Sequence, residues 1–520
     1  MKPSVATWLG FGAMCAGMFM AILDIQVVAS SLTNIGTAFD VPVSHLTWIQ
    51  TGYLMAEVIA IPLTGLLTRA FTLGWMFAAA TLGFTLASLG CALSTDISVM
   101  IALRVFQGFC GGMLIPPVFT SVFIMIPEKH RVLGTTIAGA VAMIAPAIGP
   151  VIGGYLTEAY SWRWIFLVNI PPGLCVAAIV ARVVRAGRPD IAALKKIDFA
   201  TMIFASVFLA ALELILNEGP GHDWGGSYIY ALAAVCIGSG ALGLWRALNH
   251  ASPFIDMRRF RRLSFSVGCG FSFVLGFGLY GSIYLLSVFL GLVRGHTPLV
   301  IGEIMVVTGI SRLMMAPFAA LLEVKVNARL LMAFGFGVFG IGVFINGFAT
   351  AQTDFAGLFW PQLLRGAAMM LCLLPATRLA LDGWPDEEIA DASGFFNLMR
   401  NLGGAIGIAM LDTIMEQRTP GHVSGLVARL QAGDPVAARL VGLPVALFHN
   451  RAMGPVDEVT RAMIAPLVRR AALAQSINEA WFLMAALFAA SLLMLPAVGR
   501  ARPAPATGIL EVTVEGAASQ

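Results

Sequence analysis

The sequence predicts an all-α polytopic membrane protein, built as two six-helix bundles with two extra central helices between them. Three observations lead to this fold class. Of the 520 residues, 58% are apolar and only 12% are charged, about half the charged share of roughly 25% found in soluble domains. The apolar residues gather in stretches close to the roughly 20 residues that a helix needs to cross a bilayer. Short motifs from one half of the chain also recur in the other.

Fourteen apolar stretches follow one another, separated by charged or Gly/Pro-rich breaks. They fall near residues 8–32, 46–67, 75–95, 99–125, 134–158, 163–184, 198–216, 228–247, 264–290, 299–322, 328–348, 356–380, 393–415 and 477–497. The lipid bilayer is therefore the solvent for much of the chain, which excludes a soluble enzyme, a nucleic-acid-binding protein and a disordered scaffold. No ligand spacing is visible among the cysteines and histidines, so we expect no metal and no bound cofactor.

The lysines and arginines predict the orientation in the membrane. If the N-terminus is cytoplasmic, nineteen of the 32 fall on the cytoplasmic side and two in the short connections of the other side. Seven more lie in one long outer loop, 416–476, and such long loops carry little weight in topology. We therefore expect both termini in the cytoplasm.

A short internal repeat in the sequence predicts two related halves. Elements of the fourth stretch recur in the twelfth, 258 residues later: Gln107-Gly108 as Arg365-Gly366, and Pro117 as Pro375. Such parallel repeats are typical of transporters whose halves rock about a site at the membrane midplane. The expected segments are 8–190 for the first bundle, 198–247 for two inserted spans, 264–497 for the second bundle with the long outer loop 416–476, and 501–520 for a disordered cytoplasmic tail.

Two carboxyl groups are expected deep in the membrane. Asp24 lies in the first stretch, and Glu57 lies in the middle of the second. An acid at the centre of a span costs about 2.5–3.5 kcal/mol on insertion scales, so each needs a reason. Burial favours a neutral carboxyl and a nearby cation favours a charged one, so a group that alternates between the two can take up and release a proton. The alternative is a structural hydrogen bond to a neighbouring helix.

Four arginines also fall within the predicted spans. Arg104, at the start of the fourth stretch, either reaches the interface or faces the core and biases a carboxylate. Arg312, in the middle of the tenth, could pair with Glu303 or bind an anionic substrate. Arg365 and Arg400 are expected to anchor the ends of their spans.

Four motifs stand in order at matching spans. They are Leu23-Asp24 with the semi-polar run to Ile35, Arg104-Val-Phe-Gln107-Gly108 with Gly111-Gly112 and Pro116-Pro117, Gly149-Pro150-Val-Ile-Gly153-Gly154, and Ser161-Trp162-Arg163-Trp164-Ile-Phe166 with Asn169 and Pro171. Together they resemble the major facilitator superfamily, specifically its 14-span drug:proton antiporter branch of the EmrB/QacA type. The resemblance covers nearly the whole chain.

This resemblance implies a multi-pass antiporter of the bacterial inner membrane that exports amphipathic small molecules and is driven by the proton gradient. Proton coupling would fall to Asp24, Glu57 and Arg104. The antiporter motif would be Gly149, Pro150, Gly153 and Gly154, whose proline and glycines permit a bendable, closely packed crossing. The expected substrate cavity comprises Phe19, Met20, Gln26, Tyr53, Met113, Tyr280 and Arg312.

Two departures from the family pattern stand out. The loop between the second and third stretches, which usually carries an acid and several bases, keeps Gly65 and Arg69 but has no acid, so we expect no charge-based latch there. In the first stretch Gln26 stands where the branch commonly has threonine, which could alter substrate preference.

The outer loop 416–476 resembles the one in EmrB-like members, which pair with a periplasmic adaptor and an outer-membrane channel. It could form a pair of amphipathic helices, or it could be a solvated loop with no partner. Two other functions remain open from the sequence. One is uptake of a metabolite by the same fold, and the other is a non-transporting receptor or scaffold.

Overall fold

The computed structural model of the chain describes residues 5–41, 43–127, 130–184, 189–190, 198–219, 222, 224–249, 257–381, 384, 386–445 and 458–497. These residues form α-helices joined by short turns, which confirms the predicted all-α class. The helices are α1 (Val5–Phe39), α2 (Val43–Phe71), α3 (Leu73–Leu93), α4 (Ile97–Gly112), α5 (Ile115–Met125), α6 (Arg131–Ala159), α7 (Trp164–Leu167), α8 (Ile170–Val183), α9 (Phe199–Glu218), α10 (Gly226–Asn249), α11 (Leu263–Val288), α12 (Pro298–Lys325), α13 (Ala328–Asn346), α14 (Phe355–Leu381), α15 (Asp386–Gln431), α16 (Pro435–Val441) and α17 (Glu458–Ser491). The predicted tail 501–520 lies outside the described residues.

Each of the fourteen predicted stretches falls on this helical framework. Twelve spans in the described part of the chain are long and apolar enough to cross a membrane. Of the two remaining stretches, the second coincides with the shorter apolar run Leu46–Ile61 of α2, and the thirteenth lies within the long helix α15.

Two stretches predicted as single helices are interrupted. The fourth is divided into α4 and α5 at Met113 and Leu114, immediately before Pro116-Pro117. The sixth is divided into α7 and α8 just before Pro171-Pro172. Proline has no backbone N–H to donate to the preceding turn, so it is tolerated in the first turn of a helix and ends the helix before it.

The two halves repeat the same close helix contacts. A Cβ on Gly108 of α4 would lie 2.2 Å from the carbonyl oxygen of Tyr53 on α2. A Cβ on Gly366 of α14 would lie 2.3 Å from the carbonyl oxygen of Thr308 on α12. Gly108 and Gly366, which correspond in the internal repeat, therefore have the same role in both halves: each lets two helix backbones approach closely.

Close contacts join the halves on one side of the bundle. We call this the distal side; it holds the end of α1 at Phe39 and the start of α2. A Cβ on Gly154 of α6 would lie 2.2 Å from the carbonyl oxygen of Pro298 on α12, and one on Gly291 would lie 2.4 Å from Cγ2 of Thr33 on α1. The distal side is therefore closed in this structure.

The region 416–476 is helical where it is described. Helix α15 continues without a break to Gln431, α17 begins at Glu458, and α16 lies beside both. Leu426, Leu430 and Val468 are buried in a small apolar cluster that is separate from the main core. A pair of amphipathic helices, the first of the two alternatives, is thus present, and its core is small.

A charge in this small cluster should loosen the helix pair and leave the membrane bundle intact. Leu426→Asp buries a carboxylate at a position that is 2% exposed and should cost the cluster about 3 kcal/mol or more. We expect faster cleavage between residues 416 and 445 in limited proteolysis. Val427→Asp, at the neighbouring position that is 37% exposed, is the matched control and should cleave like the wild type. Equal cleavage of both variants would contradict a packed helix pair.

Candidate functional site

Asp24 and Arg104 form an ion pair in the interior of the first half. Arg104 Nη1 donates to Asp24 Oδ2 at 2.5 Å, and both side chains are 0% exposed. Arg104 Nε also donates to the carbonyl oxygen of Ile49 on α2 at 3.0 Å. Helices α1, α2 and α4 thus converge on one charged pair, and Arg104 faces the core and does not reach the interface.

Three neutral side chains complete the surroundings of Asp24. Gln107 Nε2 donates to Asp24 Oδ1 at 3.2 Å, and Asn169 Nδ2 donates to the same oxygen at 2.8 Å. Gln107 also donates to Ser88 Oγ at 2.6 Å. The break before α8 brings Asn169 to this point. The carboxylate therefore has both oxygens occupied by donors, which is the condition for keeping a charge in a dry interior.

The ring of Tyr53 packs against the Arg104 guanidinium. The guanidinium carbon lies 4.5 Å from the ring centroid, and Tyr53 OH donates to the carbonyl oxygen of Ala21 at 3.3 Å. A cation over an aromatic face is stabilised without a counter-ion. The Arg104 guanidinium is therefore held by the Tyr53 ring as well as by Asp24.

We expect Asp24 and Arg104 to be energetically coupled. Asp24→Asn and Arg104→Gln should each destabilise the protein, and the double variant should lose about 1–3 kcal/mol less than the sum of the two, as found for residues in one buried network. Thermal unfolding of the purified variants in detergent gives all four values. Strictly additive losses would show that the two side chains do not act together.

Glu57 lies at the boundary between the halves. Its carboxyl faces Arg400 and Asn401 of α15, on the opposite half. Tyr280 OH donates to Asn401 Oδ1 at 3.3 Å, which places α11 in the same cluster. One oxygen of Glu57, Oε2, has no hydrogen-bond partner in the described part of the chain. Glu57 is therefore separate from the Asp24 network and close to where the two halves would move against each other.

Two expectations about the arginines of the second half are wrong, and one of the two alternatives for Arg312 is excluded. Arg312 does not pair with Glu303, which is exposed. Nine residues of helix separate the two by about 13 Å and half a turn.

Arg365 does not anchor the end of its span, since it is buried and lies 5.2 Å from the ring centroid of Trp481. Arg400 is part-buried and faces Glu57 instead of the interface.

The residues of the antiporter motif lie where α6 crosses its neighbours. A Cβ on Gly149 would lie 2.5 Å from Gln26 Cβ on α1. A Cβ on Gly153 would lie 2.5 Å from the carbonyl oxygen of Val27, also on α1. Gly154 meets α12 on the distal side, as described above. The carbonyl oxygen of Pro150 would lie 2.3 Å from a Cβ on Gly302 of α12. Helix α6 is thus held tightly between α1 of its own half and α12 of the other.

A cavity lies between the halves, beside this crossing. Of the seven residues expected to line it, Gln26 and Arg312 do so. Met20, Tyr53 and Met113 are buried within the core of the bundle, and Phe19 and Tyr280 are partly buried against that core. The cavity is also lined by Ser282, Met305, Gln362 and Arg365.

Asp412 is a buried acid that was not predicted from the sequence. This buried carboxylate accepts from Thr47 Oγ1 at 2.7 Å and from Tyr284 OH at 2.6 Å. The three residues come from α15, α2 and α11, so the contact joins the two halves on the distal side. The signal was available, because Asp412 is an acid inside the thirteenth apolar stretch.

Comparisons with known proteins agree with this architecture. Residues 14–408 match the family described as Major Facilitator Superfamily. The chain is 38% identical over 423 residues to the colistin resistance protein EmrB of Acinetobacter baumannii, covering 81% of this chain and 83% of the relative. It is 28% identical over 499 residues to the multidrug export protein EmrB of Escherichia coli, covering 94% of each. A solved bacterial homologue of the human lysosomal transporter Spinster, inward-facing and unoccupied, matches with a TM-score of 0.63 at 14% identity, covering 96% of this chain and 100% of that chain. This last likeness shows a shared fold.

Proposed function

The chain belongs to the Major Facilitator Superfamily, and we propose that it is a proton-coupled antiporter that exports amphipathic small molecules or drugs. The buried Asp24–Arg104 pair is the observation that carries this proposal. A receptor or scaffold has no need of a charged pair with 0% exposure in its bundle, because such a pair contributes little to stability. The names of the two EmrB relatives, one a multidrug export protein, support export as the direction.

In the proposed cycle Asp24 carries the proton. When the site opens to the outside, Asp24 is protonated and Arg104 remains held by Ile49 and the Tyr53 ring. When the site opens to the cytoplasm, Asp24 releases the proton and re-forms the pair as substrate binds. Glu57 would take part at the boundary between the halves. The crossing of α6 with α1 and α12, which holds Gly149, Pro150, Gly153 and Gly154, would be the hinge of this movement.

The placement in the cell is part of the proposal. The excess of lysine and arginine on one side supports an inner-membrane protein with both termini in the cytoplasm, so that the distal side faces the periplasm. The chain would then consist of the bundles 8–190 and 264–497, the inserted pair 198–247, and a cytoplasmic tail 501–520. We propose that the protein converts no substrate chemically and needs no cofactor, because the proton gradient supplies the energy.

The helix pair at the end of α15 and the start of α17 would be the contact for a periplasmic adaptor, which would connect to an outer-membrane channel. Exposed apolar side chains support this, since Val459 and Met463 lie on the surface of α17 and Val436 lies on the surface of α16. Exposed apolar side chains are available for burial in a protein interface.

Uptake of a metabolite is the second candidate function, and the side of the membrane from which a compound drives proton movement separates the two. Everted vesicles are loaded with an acid interior and a fluorescent pH probe, and candidate compounds are added outside. Export by antiport predicts that compounds release protons from the vesicles. Vesicles without the protein are the control. Proton flow only when the compound is placed inside the vesicles would establish uptake, and no flow in either case would favour a scaffold.

A further inference from the structure

The second half contains a polar pair that mirrors the pair around Arg104. The offset of 258 residues between the repeats places Gln362 at the position of Arg104 and Arg365 at the position of Gln107. In both halves the two side chains are hydrogen-bonded. Arg104 Nη1 donates to Gln107 Oε1 at 2.7 Å, and Arg365 Nη2 donates to Gln362 Oε1. The arginine and the glutamine have exchanged places, and the contact between them is kept.

The second half lacks the carboxylate that neutralises this pair in the first. The same offset places Ser282 at the position of Asp24, and Ser282 lines the cavity together with Arg365. Arg365 is 2% exposed, yet its Nε and Nη1 atoms have no hydrogen-bond partner among the described residues. In the second half a buried cation thus lies near Ser282, whereas the equivalent position in the first half is the carboxylate Asp24.

A second buried arginine faces the same cavity. Arg312 is 6% exposed and lines the cavity, and its Nε has no partner in the described part of the chain. Among the described residues its charged neighbours are Arg365 and Arg400, and neither offers a negative charge. Gln362 Nε2 is a further donor without a described partner. The Trp481 ring packs near the Arg365 guanidinium, but a ring satisfies none of these N–H donors. Buried donors without partners are costly, so this group is suited to an anion.

We propose that Arg312, Arg365 and Gln362 bind the anionic group of an amphipathic substrate, a carboxylate or a sulfonate. The anion takes the place that Asp24 occupies in the other half, beside Ser282. The apolar part of the substrate lies against Ile283, Leu286 and Met305, which line the same cavity. The inference rests on the proposed export function, and it names the chemical class of compound that this site takes.

The test measures binding of 2-naphthoate to the full-length protein in nanodiscs, by the fluorescence anisotropy of the naphthalene ring. The neutral probe is 2-naphthamide, which has the same shape. Wild-type protein should bind 2-naphthoate more tightly than the amide. Arg365→Gln and Arg312→Gln should each weaken binding of 2-naphthoate by about 10- to 100-fold, the range for a lost hydrogen bond to a charged group. Binding of 2-naphthamide should change little.

Ser282→Asp tests the site without removing an arginine. It restores in the second half the carboxylate found in the first, so the new acid should pair with Arg365 and weaken 2-naphthoate binding to a similar extent. Arg439→Gln, an exposed arginine of α16, makes the same charge change as the arginine variants and should bind like the wild type.

Two results would overturn the anion site. They are equal weakening of 2-naphthoate and 2-naphthamide binding in the arginine variants, and unchanged 2-naphthoate binding in folded Ser282→Asp protein. If compounds still drive proton release from everted vesicles in such a case, the export function stands and the anion site alone fails. Charge-selective binding without any proton movement would leave the anion site and contradict export.

Discussion

Asp24→Asn should abolish compound-driven proton movement and preserve the exchange of compound for compound. Asparagine keeps the shape of the side chain and an acceptor for Arg104, but it cannot release a proton at the site. The variant therefore resembles the protonated state of the proposed cycle. In proteoliposomes, compound-evoked proton flux should fall to the level of empty liposomes, and exchange of labelled for unlabelled compound should remain within about threefold of the wild type, a change of less than about 1 kcal/mol.

Asp198→Asn is the matched control for this result. Asp198 is also a buried carboxylate paired with an arginine, since Arg246 Nε lies 2.7 Å from its Oδ1. It lies at the start of α9, outside the two bundles, so its loss should leave proton movement intact. If Asp24→Asn retained coupled proton flux, the proton site would have to lie elsewhere, and Glu57 would be the next candidate.

Gly154→Val should hold the distal side open. The new side chain would meet the carbonyl oxygen of Pro298, which lies 2.2 Å from a Cβ at this position. Backbone atoms cannot yield as a flexible side chain can, so α6 and α12 must separate. We expect transport to fall to background. We also expect a cysteine placed at the buried position Ser31 to react with a membrane-impermeant thiol reagent, in a protein whose exposed Cys175 has been replaced by serine.

Gly139→Val is the control on the same helix. A Cβ on Gly139 meets nothing within 4 Å, so this variant should transport normally and keep Ser31→Cys protected. Protection of Ser31→Cys in the Gly154→Val protein would mean that the crossing of α6 and α12 does not close the distal side.

Composition and the length of the apolar stretches were enough to predict the fold class, because the length of a span and the cost of exposing backbone in lipid allow few alternatives. The helix breaks were harder to predict. Pro116-Pro117 and Pro171-Pro172 are visible in the sequence, but prolines also occur inside continuous helices here, as Pro146 and Pro150 do in α6.

The candidate site was predicted in part. Asp24, Glu57 and Arg104 stood out because a charge inside a span is costly. That Asp24 and Arg104 touch depends on the packing of α1 against α4, which one sequence does not specify. Arg365 was misassigned for the same reason. Its place within the span does not specify the face of α14 on which it lies, and that face is turned toward the cavity.

Proton release by the purified protein tests the central claim most directly. Wild-type protein in weakly buffered detergent solution, at each of a series of pH values, is mixed with a transported compound while a pH-indicating dye is read. Exchange at Asp24 predicts that compound addition releases protons from the wild type and from Asp198→Asn, and none from Asp24→Asn that still binds the compound. Equal release from the wild type and Asp24→Asn would show that the proton and the substrate do not compete through Asp24.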